Sequence, residues 1–151
     1  MIVYLGIGTN LGEREANLRR AIELLHERVG ECMACSSIYR SAPQGFVSDN
    51  QFANIVAVCQ TDHSPEEVLQ ITQAIEREMG RTEKSVNGIY HDRVIDIDLL
   101  QAFDGNQITG KGIEVTSDTL ILPHPRMQER DFVMISLREV EAILNSPITK
   151  Q

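Results

Sequence analysis

The chain has 151 residues, of which 42% are hydrophobic and 24% charged, with a formal net charge of −8. That size suits one ordinary domain with a real core, so residues 1–151 are read as a single domain. The acidic balance argues against a nucleic-acid surface, and no apolar run approaches the roughly 20 residues that a membrane span needs.

The opening MIVYLGIGTN has no basic segment before its apolar run. It therefore reads as a first strand rather than a signal peptide, and a cytoplasmic monomer is expected. The strand runs into Gly6-Ile7-Gly8-Thr9-Asn10-Leu11-Gly12, whose glycine spacing fits neither the dinucleotide fingerprint nor a P-loop. Glycines there let another backbone or a flat ligand come close, or simply make the turn. From Glu13 to Val29 the residues Leu18, Ala21, Ile22, Leu25 and Val29 recur at spacings of three and four, a one-sided helix closed by Gly30.

Cys32 to Tyr39 reads as a second strand and Phe52 to Thr61 as a third, with a long turn-rich loop from Arg40 to Gln51 between them. A second helix has Ser64 as its N-cap, Pro65 at its first position, Glu67 completing a capping box and Gly80 beyond its end. Val68, Ile71, Ile75 and Met79 form its expected buried stripe. Gln73 and Glu76 share a different face, open to solvent or turned towards a site. Arg81 to Asp92 is a second polar loop without periodicity and reads as a lid. A fourth strand follows, then a Gly/Asn turn, a short apolar run at Leu120–Leu122, the break Pro123-His124-Pro125-Arg126, and a final helix over Asp131–Leu144.

The order β-α-β-β-α-β with C-terminal additions predicts an α+β fold, a ferredoxin-like antiparallel sheet with helices packed on it. Cys32 and Cys35 form a C-x-x-C, but strand periodicity puts a spacing of three on opposite faces, and no further pair completes a zinc site. With Cys59 they read as reduced structural thiols.

The fourth strand carries YHDRVIDIDLL, Tyr90 to Leu100. Alternation turns Asp96 and Asp98 to one side and Ile95, Ile97 and Leu99 to the other, with the two Asp Cα atoms roughly 6.5–7 Å apart. Two carboxylates so placed repel, unless they are simply solvated on a wet face or share a cation. An all-oxygen pair suits Mg²⁺, which fills its other positions with water and substrate phosphates. Arg81, Lys84, Arg93, Arg126, Arg130, His91 and His124 gather around this strand or after it, despite the acidic total.

The ordered set of motifs resembles the 6-hydroxymethyl-7,8-dihydropterin pyrophosphokinase family of the folate pathway. The resemblance rests on the opening glycine segment, on Ser37-Ile38-Tyr39-Arg40-Ser41, on Phe52-x-Asn54, and on Glu76 through Gly80-Arg81. It continues in Arg93-Val94-Ile95-Asp96-Ile97-Asp98-Leu99-Leu100 and in Pro123-His124-Pro125-Arg126-Met127 with Arg130-x-Phe132. It implies transfer of the terminal diphosphate of ATP to the pterin hydroxymethyl group, with AMP released. Asp96 and Asp98 would hold two Mg²⁺ ions, and Arg81, Arg93, His124 and Arg130 would contact phosphates. Arg81 and Arg93 join the Asp pair as expected catalytic residues.

By the same resemblance Gln73, Glu76 and Leu99 fall near the adenosine. Asn54 would read the pterin edge, Phe132 and Phe52 would flank its ring, and Gly8, Ser41, Ala42 and Gln44 would supply further contacts. Two other readings remain open at this point. One is a ferredoxin-like regulatory module that binds a small molecule, and the other is a catalytically weakened family member.

Overall fold

The computed structural model describes residues 1–41, 52–80, 85–86, 89–90, 94–105 and 112–145. In chain order they form β1 (Ile2–Thr9), α1 (Arg14–Arg28), β2 (Glu31–Cys35), β3 (Tyr39–Ser41), β4 (Phe52–Gln60) and α2 (Pro65–Glu78). Then come β5 (Ser85–Val86), β6 (Ile89–Tyr90), β7 (Asp96–Phe103), β8 (Val115–Thr116), β9 (Ile121–Leu122), a 3-10 turn (Met127–Glu129) and α3 (Asp131–Leu144). Among the described residues the main sheet runs β2-β4-β1-β7, with β3 also paired to β4, and every pairing is antiparallel. This is the expected α+β, ferredoxin-like plan, in which a βαβ crossover leaves room for a third strand between its two.

The sheet separates two apolar layers. Val3, Leu5, Ile7, Ile55, Ala57, Ile97 and Leu99 pack with Leu18, Leu25, Val68 and Ile75 of α1 and α2. On the other face Ile2, Tyr4, Val56, Val58 and Leu100 pack with Val133, Leu137 and Val140 of α3. The period-two alternation of β1 and β4 thus feeds a helix layer on each side.

The boundaries of α2 follow its local chemistry. Ser64 Oγ accepts from the Glu67 amide at 3.2 Å while the Glu67 carboxylate accepts from the Ser64 amide at 3.0 Å. These two bonds satisfy donors that the first turn leaves open. At the end of α1, a Cβ on Gly30 would stand 1.8 Å from the Gln60 carbonyl oxygen, so only glycine lets the chain leave the helix against β4.

Two expectations need correction. The segment from Cys32 to Tyr39 is two strands, not one, because Ser36 turns its hydroxyl to the ladder and accepts from the Val56 amide at 2.9 Å. The register also shifts between Cys32 and Ala34, and this bulge reverses side-chain parity. Cys32 and Cys35 therefore both pack on the layer that contains Cys59, rather than on opposite faces. Within the expected lid, β5 and β6 pair Ser85 with Tyr90 and Val86 with Ile89. The sequence between them is Asn87-Gly88, the dipeptide most characteristic of tight hairpins.

Candidate active site

β1 is the central strand of the site. Gly8 lies opposite Asn54 on one neighbour and opposite Asp96 on the other, while Gly6 lies opposite Val56 and Asp98. Directly opposed residues share a face of the sheet. Asn54, Gly8 and Asp96 form one row on the α3 side, and Val56, Gly6 and Asp98 form the next. The parity expected of the D-x-D strand is thus realised: Ile97 and Leu99 are buried on the other side, and Asp96 and Asp98 are partly exposed.

The glycines keep the floor of this face clear. A Cβ on Gly8 would meet Asn54 Oδ1 at 3.0 Å and the Phe52 ring at 3.5 Å, and one on Gly6 would meet the Leu100 side chain at 3.4 Å. Gly6 is not among the site residues expected from the sequence, although the parity of β1 places it on the same face. Asn54 is oriented from behind, its Nδ2 donating to the Tyr39 carbonyl at 3.1 Å. Phe52 stands two residues away on the same face.

The opposite wall comes from the start of α3 and the segment before it. Arg130 is the N-cap residue of α3, in an extended conformation that aims its side chain back over the sheet. Its Nη1 lies 3.6 Å from Asp98 Oδ2, and its guanidinium carbon lies 5.9 Å from the centroid of the Phe132 ring. Arg130 Nε is buried and makes no hydrogen bond among the described residues. The positive end of α3 points to the same place, so this wall favours an anion.

His124 is tied to β7 through its backbone amide, which donates to the Leu100 carbonyl at 2.7 Å. Its Nδ1 accepts from the Arg126 amide at 3.1 Å. Burial, then the charges of Arg130 and Arg126, hold its pKa below the usual histidine value, against an opposing pull from Asp96. A neutral ring that accepts at Nδ1 carries its proton on Nε2, leaving that nitrogen as a donor.

The structure brings Gly8, Phe52, Asn54, Asp96, Asp98, His124, Arg130 and Phe132 to one side of the sheet. Gln73, Glu76 and Leu99 lie with the α1/α2 layer or beside it. Leu99 is buried, Gln73 is partly exposed, and Glu76 is buried with its carboxylate accepting from the Ile97 amide at 2.9 Å. Ser41 ends β3 opposite Phe52. Ala42, Gln44, Arg81 and Arg93 lie outside the described residues, as do Lys84 and His91.

The donor set fits a hard divalent ion. Two carboxylates project from one strand face with a cation beside one of them, and no cluster of three or more His, Cys, Asp or Glu ligands occurs among the described residues. Mg²⁺ is commonly held by one or two carboxylates in this manner, with substrate phosphates completing its shell.

A family model described as 7,8-dihydro-6-hydroxymethylpterin-pyrophosphokinase matches residues 4–142. The chain belongs to this pyrophosphokinase family. It is 46% identical over 139 residues to a Porphyromonas gingivalis protein named 2-amino-4-hydroxy-6-hydroxymethyldihydropteridine pyrophosphokinase, covering 92% of this chain and 90% of that one. A Bacillus subtilis protein of the same name is 38% identical over 140 residues, covering 92% and 77%. Among solved structures, an HPPK-DHPS chain in complex with substrates superposes with a TM-score of 0.66 at 15% identity. The match spans 92% of this chain and 40% of that longer one, and it speaks to the fold.

Proposed function

We propose that this pyrophosphokinase transfers the terminal diphosphate of ATP to the hydroxymethyl group of 6-hydroxymethyl-7,8-dihydropterin, releasing AMP, as a step of tetrahydrofolate biosynthesis. The observation that carries this reading is the row Asn54–Gly8–Asp96, which sets an amide and a carboxylate two strand spacings apart on one face; in this reading the amide would meet the pterin edge and the carboxylate a metal ion. Two spacings are about 10 Å. A flat heterocycle lying over Gly8 has its polar edge at Asn54 and its substituent directed towards Asp96.

Phe52 and Phe132 would flank the ring, and Ser41, Ala42 and Gln44 would add contacts on the Asn54 side. Asp96 and Asp98 would hold Mg²⁺, with two ions proposed. Bound there, Mg²⁺ spreads phosphate charge and orients the reacting groups. Arg130, together with Arg81 and Arg93, would bind phosphate oxygens through guanidinium forks, and His124 would donate one bond from Nε2. The hydroxyl oxygen attacks the β-phosphorus and gives up its proton to solvent, the bond to the α–β bridging oxygen breaks, and AMP leaves with that oxygen.

The outer edge of β7 is the proposed seat of the adenosine, beside Gln73. Alternate residues of an antiparallel strand turn their backbone groups the same way, so Leu99 presents its N–H and C=O to the same side as Ile97. A cytoplasmic monomer accompanies this reading.

The test is AMP release measured with ATP, Mg²⁺ and the reduced pterin, each omitted in turn. AMP should form only when all three are present. Release of AMP without the pterin, or of ADP in place of AMP, would overturn the proposal, and pterin binding without AMP release would point to a ligand-binding module instead.

A further inference from the structure

Glu76 sits on α2, only 5% exposed, and its carboxylate accepts from the Ile97 amide at 2.9 Å. Ile97 is the residue between Asp96 and Asp98, and among the described residues β7 is an outer strand of the sheet. Along an antiparallel strand, alternate residues bond to the neighbour and the rest face away. Since the Ile97 N–H faces Glu76, the backbones of Asp96 and Asp98 are the ones that face Gly8 and Gly6 on β1. The peptide that carries the carboxylate pair is therefore held from both sides, by β1 within the sheet and by a buried carboxylate on its outer edge. A carboxylate is costly to bury without a donor, and an edge-strand N–H is otherwise open to water or to another strand.

We propose that Glu76 is a positioning residue for the Asp96/Asp98 pair, fixing the strand that presents both carboxylates to a divalent ion. This rests on the reading of those two residues as metal ligands given above. Partners that orient metal ligands from behind typically account for about 10- to 100-fold in metal affinity.

Two conservative variants separate the bond from the charge. Glu76→Asp keeps the charge but is one methylene too short to reach Ile97, whereas Glu76→Gln loses the charge but keeps an acceptor oxygen. Mn²⁺ affinity is read by electron paramagnetic resonance in the absence of nucleotide, and exchange of the Ile97 amide proton is read by NMR. Glu76→Asp should weaken Mn²⁺ binding about tenfold and speed Ile97 exchange, while Glu76→Gln stays within about twofold of the parent in both. Circular dichroism checks that each variant is folded, and should Glu76→Asp fail to fold, Glu76→Ala, which also removes the acceptor, is read in its place with the same expectation. Weakened Mn²⁺ binding in Glu76→Gln with Ile97 still protected overturns the proposal, because charge and not the bond would then matter. Unchanged Mn²⁺ binding in a folded Glu76→Asp overturns it too, with the metal reading intact. If Mn²⁺ fails to broaden the Gly6 and Gly8 amides of the parent protein, both readings fall together.

Discussion

Arg130 Nη1 lies 3.6 Å from Asp98 Oδ2, while the same guanidinium lies 5.9 Å from the Phe132 ring. One side chain therefore touches the acidic pair on the sheet and the aromatic wall on α3. The ion pair is partly exposed and adds little to stability, since such pairs contribute roughly 0–1 kcal/mol. It keeps a planar, five-donor cation at the edge of the carboxylate pair. Arg130→Ala should cost about 10- to 100-fold in kcat/KM for ATP, the equivalent of one charge-assisted bond, with Tm nearly unchanged. Arg130→Lys should recover only part of the loss, because a point charge lacks the fork. Steady-state kinetics checks both, and full activity in Arg130→Ala would remove Arg130 from the site.

Asp96 and Asp98 share one face two residues apart, so each charge raises the cost of the other in the absence of a cation. Asp96→Asn and Asp98→Asn should each lower turnover by about 100-fold or more, the scale on which lost charge stabilisation is felt. Neither should lower Tm by more than a few degrees, since relief of repulsion offsets the lost contacts. Turnover against Mg²⁺ concentration, paired with thermal melts, checks this. Unaltered Mg²⁺ dependence in both variants would show that the pair is only a solvated face.

How far these features can be read from sequence depends on how local their causes are. The ends of α2 are legible because Ser64, Pro65 and Glu67 act within one turn. The facing of Asp96 and Asp98 is legible because strand parity needs no partner. The split of β2 from β3 is not, because it depends on Ser36 meeting the Val56 amide 20 residues away. The shared face of Cys32 and Cys35 is hidden for a related reason: a bulge depends on the register with β4. Glu76 reads as a polar position on a helix, and only the docking of α2 beside β7 turns it inward. The convergence of Arg130 with Asp98 likewise waits on α3 packing across the sheet.

Gly30 offers a prediction about folding rather than chemistry. A Cβ there would lie 1.8 Å from the Gln60 carbonyl oxygen and 2.9 Å from its carbon, both backbone atoms that cannot swing aside. Gly30→Ala must push α1 away from β4, at the upper end of the overpacking range, about 3 kcal/mol. For a chain of this size that corresponds to a fall in Tm of about 6–12 °C. The KM values of the remaining folded enzyme should be unchanged, because Gly30 is remote from the Asn54–Gly8–Asp96 row. A thermal melt within a degree or two of the parent would mean that the two segments separate without cost.

Cys32 lies opposite Cys59 across β2 and β4. The Cys59 thiol beside it holds the Cys32 pKa below the usual thiol value, against the opposing effect of burial, while burial first and then the Cys32 charge push Cys35 up to about 11. The thiolate is the reactive form, so a lower pKa means a larger reactive fraction at a given pH. Alkylation of Cys32 by iodoacetamide should therefore reach half its maximum at a pH below the ordinary thiol value of about 8.5, with Cys35 slow until well above it. Cys59→Ala removes the donor that stabilises the anion, so the Cys32 midpoint should move upward. Peptide mass spectrometry across a pH series measures both midpoints. An unmoved midpoint in Cys59→Ala would assign the low pKa to backbone donors alone, and a Cys35 that reacts as fast as Cys32 would contradict the burial order of the cluster.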